Sequence, residues 1–204
     1  MAMKHSAKHT AILAALAPAA LLAGCATPAY VSPVEVTRFT APQAALGAGT
    51  ISLRPGPGNA ADSWDQTAFQ AAVADELTRL GYTVTEGEAR QVAVVTVRRA
   101  SERAGTERSP VNVGVGGSTG TYGSGLGLGV GFNLGGGRAA EQIDTELRVS
   151  IMPAGSIEAL WEGRARFTAT ANSDYASRQA AAAKLAAALF AGFPGRSGET
   201  IEVR

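Results

Sequence analysis

Residues 141–151 alternate strictly between apolar and polar side chains, and residues 157–169 alternate back after the turn residues Pro153-Ala154-Gly155-Ser156. Successive side chains of a strand point to opposite faces, so a period of two sorts each run into two sets. In the first run Ile143, Thr145, Leu147, Val149 and Ile151 oppose Asp144, Glu146, Arg148 and Ser150. In the second, Ile157, Ala159, Trp161, Ala165 and Phe167 oppose Glu158, Glu162, Arg164 and Arg166. This pattern predicts a hairpin with one buried face and one wet face. Charged pairs across the wet face are worth ~0.2–1 kcal/mol each and say nothing about function. Trp161, pointing inward, is read as core.

Two helices are predicted to cover the buried face. The clearer one spans residues 64–80, where Phe69, Ala72, Val73, Leu77 and Leu80 recur at helical spacing. Ser63 with Gln66 has the form of a capping box, and Asp65 complements the positive end of the helix dipole. Gly81 suits the left-handed terminating position. Asp75-Glu76 reads as a solvated part of that helix. Ser173 is predicted to cap a second, alanine-rich helix over about residues 174–191, with Leu185, Leu189 and Phe190 on its apolar side. Phe193-Pro194-Gly195 ends it, and the polar tail to Arg204 is expected to fray. Further strands are predicted around Val34 and Val36, extending toward Arg38-Phe39, at Thr50–Leu53 before Pro55-Gly56-Pro57-Gly58, at Tyr82–Thr85, and at Val92–Val97. The last is apolar on both faces and so expected to be central. The fold class is α+β: a mainly antiparallel sheet, two helices on one face, and a glycine-rich β-hairpin or loop insertion. The expected organisation is a segment 1–24 ahead of the body, a tether with the first short strand over 25–49, the α+β domain over 50–195, and a tail from 196 to 204.

The insertion is the unusual stretch. Between Gly114 and Gly137 there are 12 glycines in 24 residues. Leu126, Leu128, Val130 and Phe132 alternate with Gly125, Gly127, Gly129 and Gly131, which describes a strand with side chains on one face and bare backbone on the other. Val111, Val113 and Val115 repeat the pattern more briefly. Each glycine in a strand costs about 0.5–1 kcal/mol relative to alanine, so packing against the bare face has to compensate. Three readings stay open: a weakly ordered surface loop, a hairpin that pairs with a copy of itself or a partner's edge strand, or an apolar face laid on a membrane. In the second reading Leu126, Leu128, Val130 and Phe132 are the candidate partner contacts. Gly116-Gly117-Ser118-Thr119-Gly120 matches the G-x-S-x-G pattern of hydrolase nucleophiles, a coincidence in so glycine-rich a neighbourhood. Neither dinucleotide nor Walker-type phosphate-loop spacing occurs.

The N-terminus is basic at Lys4 and Lys8, and residues 11–24 are uncharged and almost wholly apolar. The run is too short to span a bilayer comfortably and is broken by Pro18, so it reads as an export signal. Its end, Leu22-Ala23-Gly24-Cys25, resembles the lipobox of bacterial lipoproteins. That resemblance implies cleavage before Cys25 after diacylation of its thiol. Ala26, where the family's retention signal would place Asp, implies the outer membrane. Cys25 is the only cysteine in the chain and has no internal disulfide partner. Two or three acyl chains, at about 0.8 kcal/mol per buried methylene, would hold the protein to a bilayer without a protein span. An ordinary secretory signal with an incidental cysteine and an uncleaved anchor are the alternatives.

Cleavage there would leave 180 residues with 16 basic and 17 acidic side chains and Lys184 as the sole lysine. This balance lacks the concentrated basic patch of a nucleic-acid binder. His5 and His9 are the only histidines in the chain. The mature chain therefore has no imidazole base, no Ser-His or Cys-His pair, and no Cys/His zinc site. Glu86 and Glu88 could contribute to a cation site, but the remaining ligands are missing. No cofactor, metal or catalytic residue is expected.

The order of parts, with "ELTRLGY", the glycine run and "LWEGRA", resembles the bacterial lipoproteins carrying domain of unknown function 4136. The matching positions are Leu77, Leu80, Gly81 and Tyr82, then Leu147, Val149, Ile151, Trp161, Gly163, Ala165 and Phe193-Pro194. The chain departs from the pattern near Val92, where the family often has an Ala-Asp pair. The resemblance implies export, lipidation and an α+β fold, and carries no catalytic residues. The expected function is non-catalytic: a periplasm-facing, lipid-anchored envelope protein binding a protein partner or envelope component. A carboxylate-dependent envelope hydrolase and a structural or stress-related protein self-assembling through the glycine segment are the competing readings.

Overall fold

A computed structural model describes residues 28–42, 44–102, 111–115, 128–132 and 140–204, with backbone alone for 111–115 and 128–132. In chain order the elements are β1 (Val34–Thr40), β2 (Gly49–Pro55), α1 (Trp64–Arg79), β3 (Tyr82–Val84), β4 (Gln91–Glu102), β5 (Val111–Val115), β6 (Leu128–Phe132), β7 (Gln142–Pro153), β8 (Trp161–Thr170), α2 (Arg178–Phe190) and β9 (Thr200–Val203). Seven strands form one sheet in the order β3-β2-β4-β7-β8-β1-β9. The sheet is mixed. Strand β2 runs parallel to β3 and β4, because α1 forms a β-α-β crossover between β2 and β3, and the other pairings are antiparallel. The fold is α+β.

Hairpin β7–β8 follows the alternation. Thr145, Leu147, Val149, Ile151, Trp161, Ala165 and Phe167 are buried, and all but Thr145 join one core with residues of both helices. The sequence places Ile157 on the inward face, and the structure corrects this: β8 starts only at Trp161, opposite Ile151, and Ile157 is 95% exposed in the connection. The turn begins at Pro153 as predicted, with Ser156 N donating to Pro153 O at 3.1 Å, but the chain needs residues 157–160 to return to the sheet. Strand β4 lies inside the sheet, with Val92, Ala93, Val95 and Val97 buried and Val94 half-buried.

Helix α1 starts where its sequence says, and Ser63 Oγ accepts from Gln66 N at 3.1 Å. The reciprocal half of the capping box is absent. Gln66, fully buried, turns its side chain inward and donates from Nε2 to Val95 O at 3.1 Å, spanning helix and sheet. Ser63→Ala is expected to lower stability by about 1 kcal/mol, read as a shift in the urea midpoint at unchanged slope. Gly81 follows the helix at φ +100°, the left-handed conformation that lets the chain turn sharply into β3. The second helix starts later than predicted. Ser173 precedes a 3-10 turn over Asp174–Ala176, and Ser177 is the cap, accepting from Ala180 N at 3.3 Å.

The C-terminal tail does not fray. Residues Thr200–Val203 pair with β1, matching Ile201 to Val36 and Val203 to Val34, and their inward side chains pack against the core. The strands flanking the predicted 50–195 unit therefore complete the same sheet. Apart from it, β5 and β6 pair antiparallel, setting Val111, Val113 and Val115 opposite Phe132, Val130 and Leu128.

Candidate functional site

Two groupings of side chains stand out, one buried and one exposed. The buried one begins with alternation in β1, which turns Arg38 inward with Val34 and Val36 and leaves it 5% exposed. Its guanidinium donates from Nε to Leu189 O and from Nη2 to Ala188 O, both at 2.9 Å. These carbonyls belong to the last turn of α2, where unpaired acceptors and the negative end of the helix dipole favour a cation. Burial lowers the proton affinity of Arg38, and the Glu199 carboxylate opposes that effect. Beside it, Trp161 stacks on Phe190 at 5.4 Å between centroids and meets Phe193 at 5.1 Å. Its Nε1 donates to Pro194 O at 2.9 Å. Gly163 is required here by proximity, since a Cβ at that position would lie 2.3 Å from Trp161 Cη2 and 2.8 Å from Leu189 Cδ1. Trp161, Gly163 and Phe193-Pro194 are thus one packing unit that ties β8 to the end of α2.

The exposed grouping is set by register. Arg98 on β4, Glu146 on β7, Arg166 on β8, Glu35 on β1 and Glu202 on β9 stand side by side on one line across five strands. The next line carries Thr96, Arg148, Arg164, Thr37 and Thr200. Glu146 accepts from Arg148 Nε at 2.7 Å and pairs with Arg164 Nε at 3.3 Å, and Glu35 pairs with Arg166 at 2.6 Å. A concavity of about 600 Å³ includes Tyr30, Ser32, Arg98, Asp144, Arg166 and Glu202. The ion pairs of this face lie at the surface, so each adds little to stability, ~0–1 kcal/mol. Chemically the face offers guanidinium and carboxylate groups side by side to a polar partner.

Among the residues singled out in the sequence, Trp161 is fully buried in the aromatic cluster. Asp75 is exposed, and Glu76 forms an ion pair with Arg79 on the same helix. Glu86 and Glu88 are exposed, and among the described residues no three His, Cys, Asp or Glu side chains gather as a metal site. Cys25, Ser118 and Leu126 lie outside the described residues, as do the side chains of Leu128, Val130 and Phe132, whose backbone forms β6. Sequence reading missed Arg38, whose signal was its place in the Val34, Val36 alternation. It named the outward charges of β7 and β8 but not the line they form, because register across β4, β1 and β9 is not visible in a single run.

The architecture defines a class: an α+β domain on one mixed sheet, with the β2–α1–β3 crossover at one edge and the C-terminal strand at the other. Residues 50–195 match the family described as Domain of unknown function (DUF4136), and the chain belongs to that family. An uncharacterized protein of Zymomonas mobilis is 27% identical over 214 residues, which cover 84% of this chain and 80% of that protein. Among solved structures, a PelC dodecamer from Paraburkholderia phytofirmans is similar with a TM-score of 0.43 at 11% identity, over 80% of this chain and 99% of that one. A PDZ domain protein from Parabacteroides distasonis is similar with a TM-score of 0.44 at 12% identity, over 93% of this chain and 42% of that one.

Proposed function

We propose that the chain is a lipid-anchored envelope lipoprotein that faces the periplasm from the outer membrane and binds a protein partner or envelope component without catalysis. One observation carries this reading: the sole cysteine, Cys25, directly follows the uncharged run 11–24 and stands five residues before Tyr30, where the chain joins the sheet. Among the described residues no helix is long and apolar enough to cross a membrane. In this reading both helices cover one face of the sheet, and the charged lines of the other face remain open to a polar partner. The glycine-rich β-hairpin adds Leu126, Leu128, Val130 and Phe132 as further partner contacts, available for self-association as well.

The test is fractionation of cells making the full chain or Cys25→Ala, with mass analysis of the N-terminal peptide. The wild type is expected in the outer-membrane fraction with acyl groups on Cys25, and the variant is expected to lose both. An unmodified thiol on a wild-type product that partitions into the soluble fraction would overturn the proposal.

A further inference from the structure

We infer that one end of the sheet is a bilayer-facing surface, on which Tyr30 and Trp64 sit at the level of the lipid headgroups; this rests on the lipid-anchor reading above. Register locates that end. Val31 bridges Ala169, Ala169 pairs with Ile143, and Ile143 pairs with Ser101, so four segments share one level. One residue further out, Thr170, Gln142 and Glu102 stand abreast. Tyr30 closes this line: its N–H donates to Thr170 Oγ1 and its carbonyl accepts from Thr170 N, both at 2.9 Å. Neighbouring strands lie about 4.8 Å apart, which puts Tyr30 within roughly 15 Å of Glu102. The chain leading back to Cys25 and both stems of the glycine-rich insertion therefore leave the sheet at the same end.

Reach makes this end the one that meets the membrane. Cys25 is five residue steps from Tyr30, so even a fully extended chain places the anchor no more than ~18 Å from it. Strand β7 has 12 residues. At ~3.4 Å per residue its far end lies about 40 Å away, beyond what the tether allows if the sheet stands on the bilayer.

Three of the exposed aromatic side chains, Tyr30, Trp64 and Tyr175, lie toward this end, whereas Phe39, paired with Glu162, and Ile157 lie toward the other. The exposed large hydrophobic residues among those described are Tyr30, Phe39, Trp64, Ile157 and Tyr175. Trp64, 81% exposed, opens α1 in the part of the sheet nearer that end: its neighbour Asp65 pairs with Arg99 of β4 at 3.5 Å, while Gln66 of the same turn reaches Val95 further down the strand. Arg99 also donates to Ala176 O at 2.8 Å, which brings the turn carrying Tyr175 to this end. Tryptophan and tyrosine combine an apolar ring with a polar handle, the chemistry that favours the membrane–water interface over either bulk phase.

The test uses full-length protein purified from envelopes and reconstituted into vesicles of phosphatidylethanolamine and phosphatidylcholine, with and without brominated acyl chains. The chain has two tryptophans, and Trp161 is fully buried and out of reach of lipid quenchers. Brominated lipid is expected to remove about half of the emission, the share of one indole, and the loss should vanish in Trp64→Phe. Vesicle-bound protein whose emission is unaffected by brominated lipid would overturn the proposed surface while leaving the anchor intact. Protein that does not stay with vesicles and shows an unmodified Cys25 by mass would overturn the anchor and the surface together.

Discussion

Trp161→Ala is expected to lower the free energy of unfolding by about 3–5 kcal/mol, the range for removing a fully buried large aromatic side chain. The indole is 0% exposed, stacks on Phe190, touches Phe193 and donates to Pro194 O, so its loss empties a cavity and frees a carbonyl. Collapse into that space is limited on one side by Gly163, which has no side chain to offer. For a domain of this size the change corresponds to a fall in melting temperature of ~10 °C, measurable by calorimetry. Trp161→Phe keeps part of the stack and should lie between the two. An alanine variant melting with the wild type would show that the β8–α2 unit contributes little to cooperative unfolding.

Arg38→Met is the second large effect. Methionine preserves most of the apolar stem but removes both donors from the last turn of α2. The carbonyls of Ala188 and Leu189 then lose charged partners, in residues that are 4% and 0% exposed. A buried acceptor stripped of a charged donor costs more than the hydrogen bond contributed, so about 2–4 kcal/mol is expected. Arg38→Lys keeps the cation but not the planar fork, and one ammonium serves two carbonyls poorly, so partial retention is expected. Urea titration followed by circular dichroism separates the three proteins by midpoint. Equal midpoints for Arg38→Met and wild type would reduce the pairing to a bystander.

These two residues also mark how far the sequence can be read. Alternation made the β7–β8 hairpin legible because both strands bury one face, and each one-residue slip would invert every side chain. Helix α1 was legible from Ser63, its apolar spacing and Gly81. The misses have particular causes. Ser173 and Ser177 are both competent caps four residues apart, and only the 3-10 turn between them decides the start of α2. Thr200–Val203 is too short and polar to announce a strand, and it forms because β1 presents an open edge. Ile157 continues the period of its run but falls in a connection longer than the turn residues imply. Arg38 keeps step with the Val34, Val36 alternation, but its acceptors lie on α2, which the strand's own sequence does not show. Partner contacts in the glycine segment remain a reading of Leu126, Leu128, Val130 and Phe132 from sequence period alone.

Strand β1, first in the chain, lies between β8 and β9, the last two strands to be made. On the export reading, a polypeptide delivered amino end first has β1 across the membrane long before either neighbour arrives. Long-range pairing of this kind is slow and needs the whole chain. The sheet cannot close prematurely around a partly delivered chain, and the acylating enzymes would meet Cys25 on slack polypeptide rather than against a finished wall.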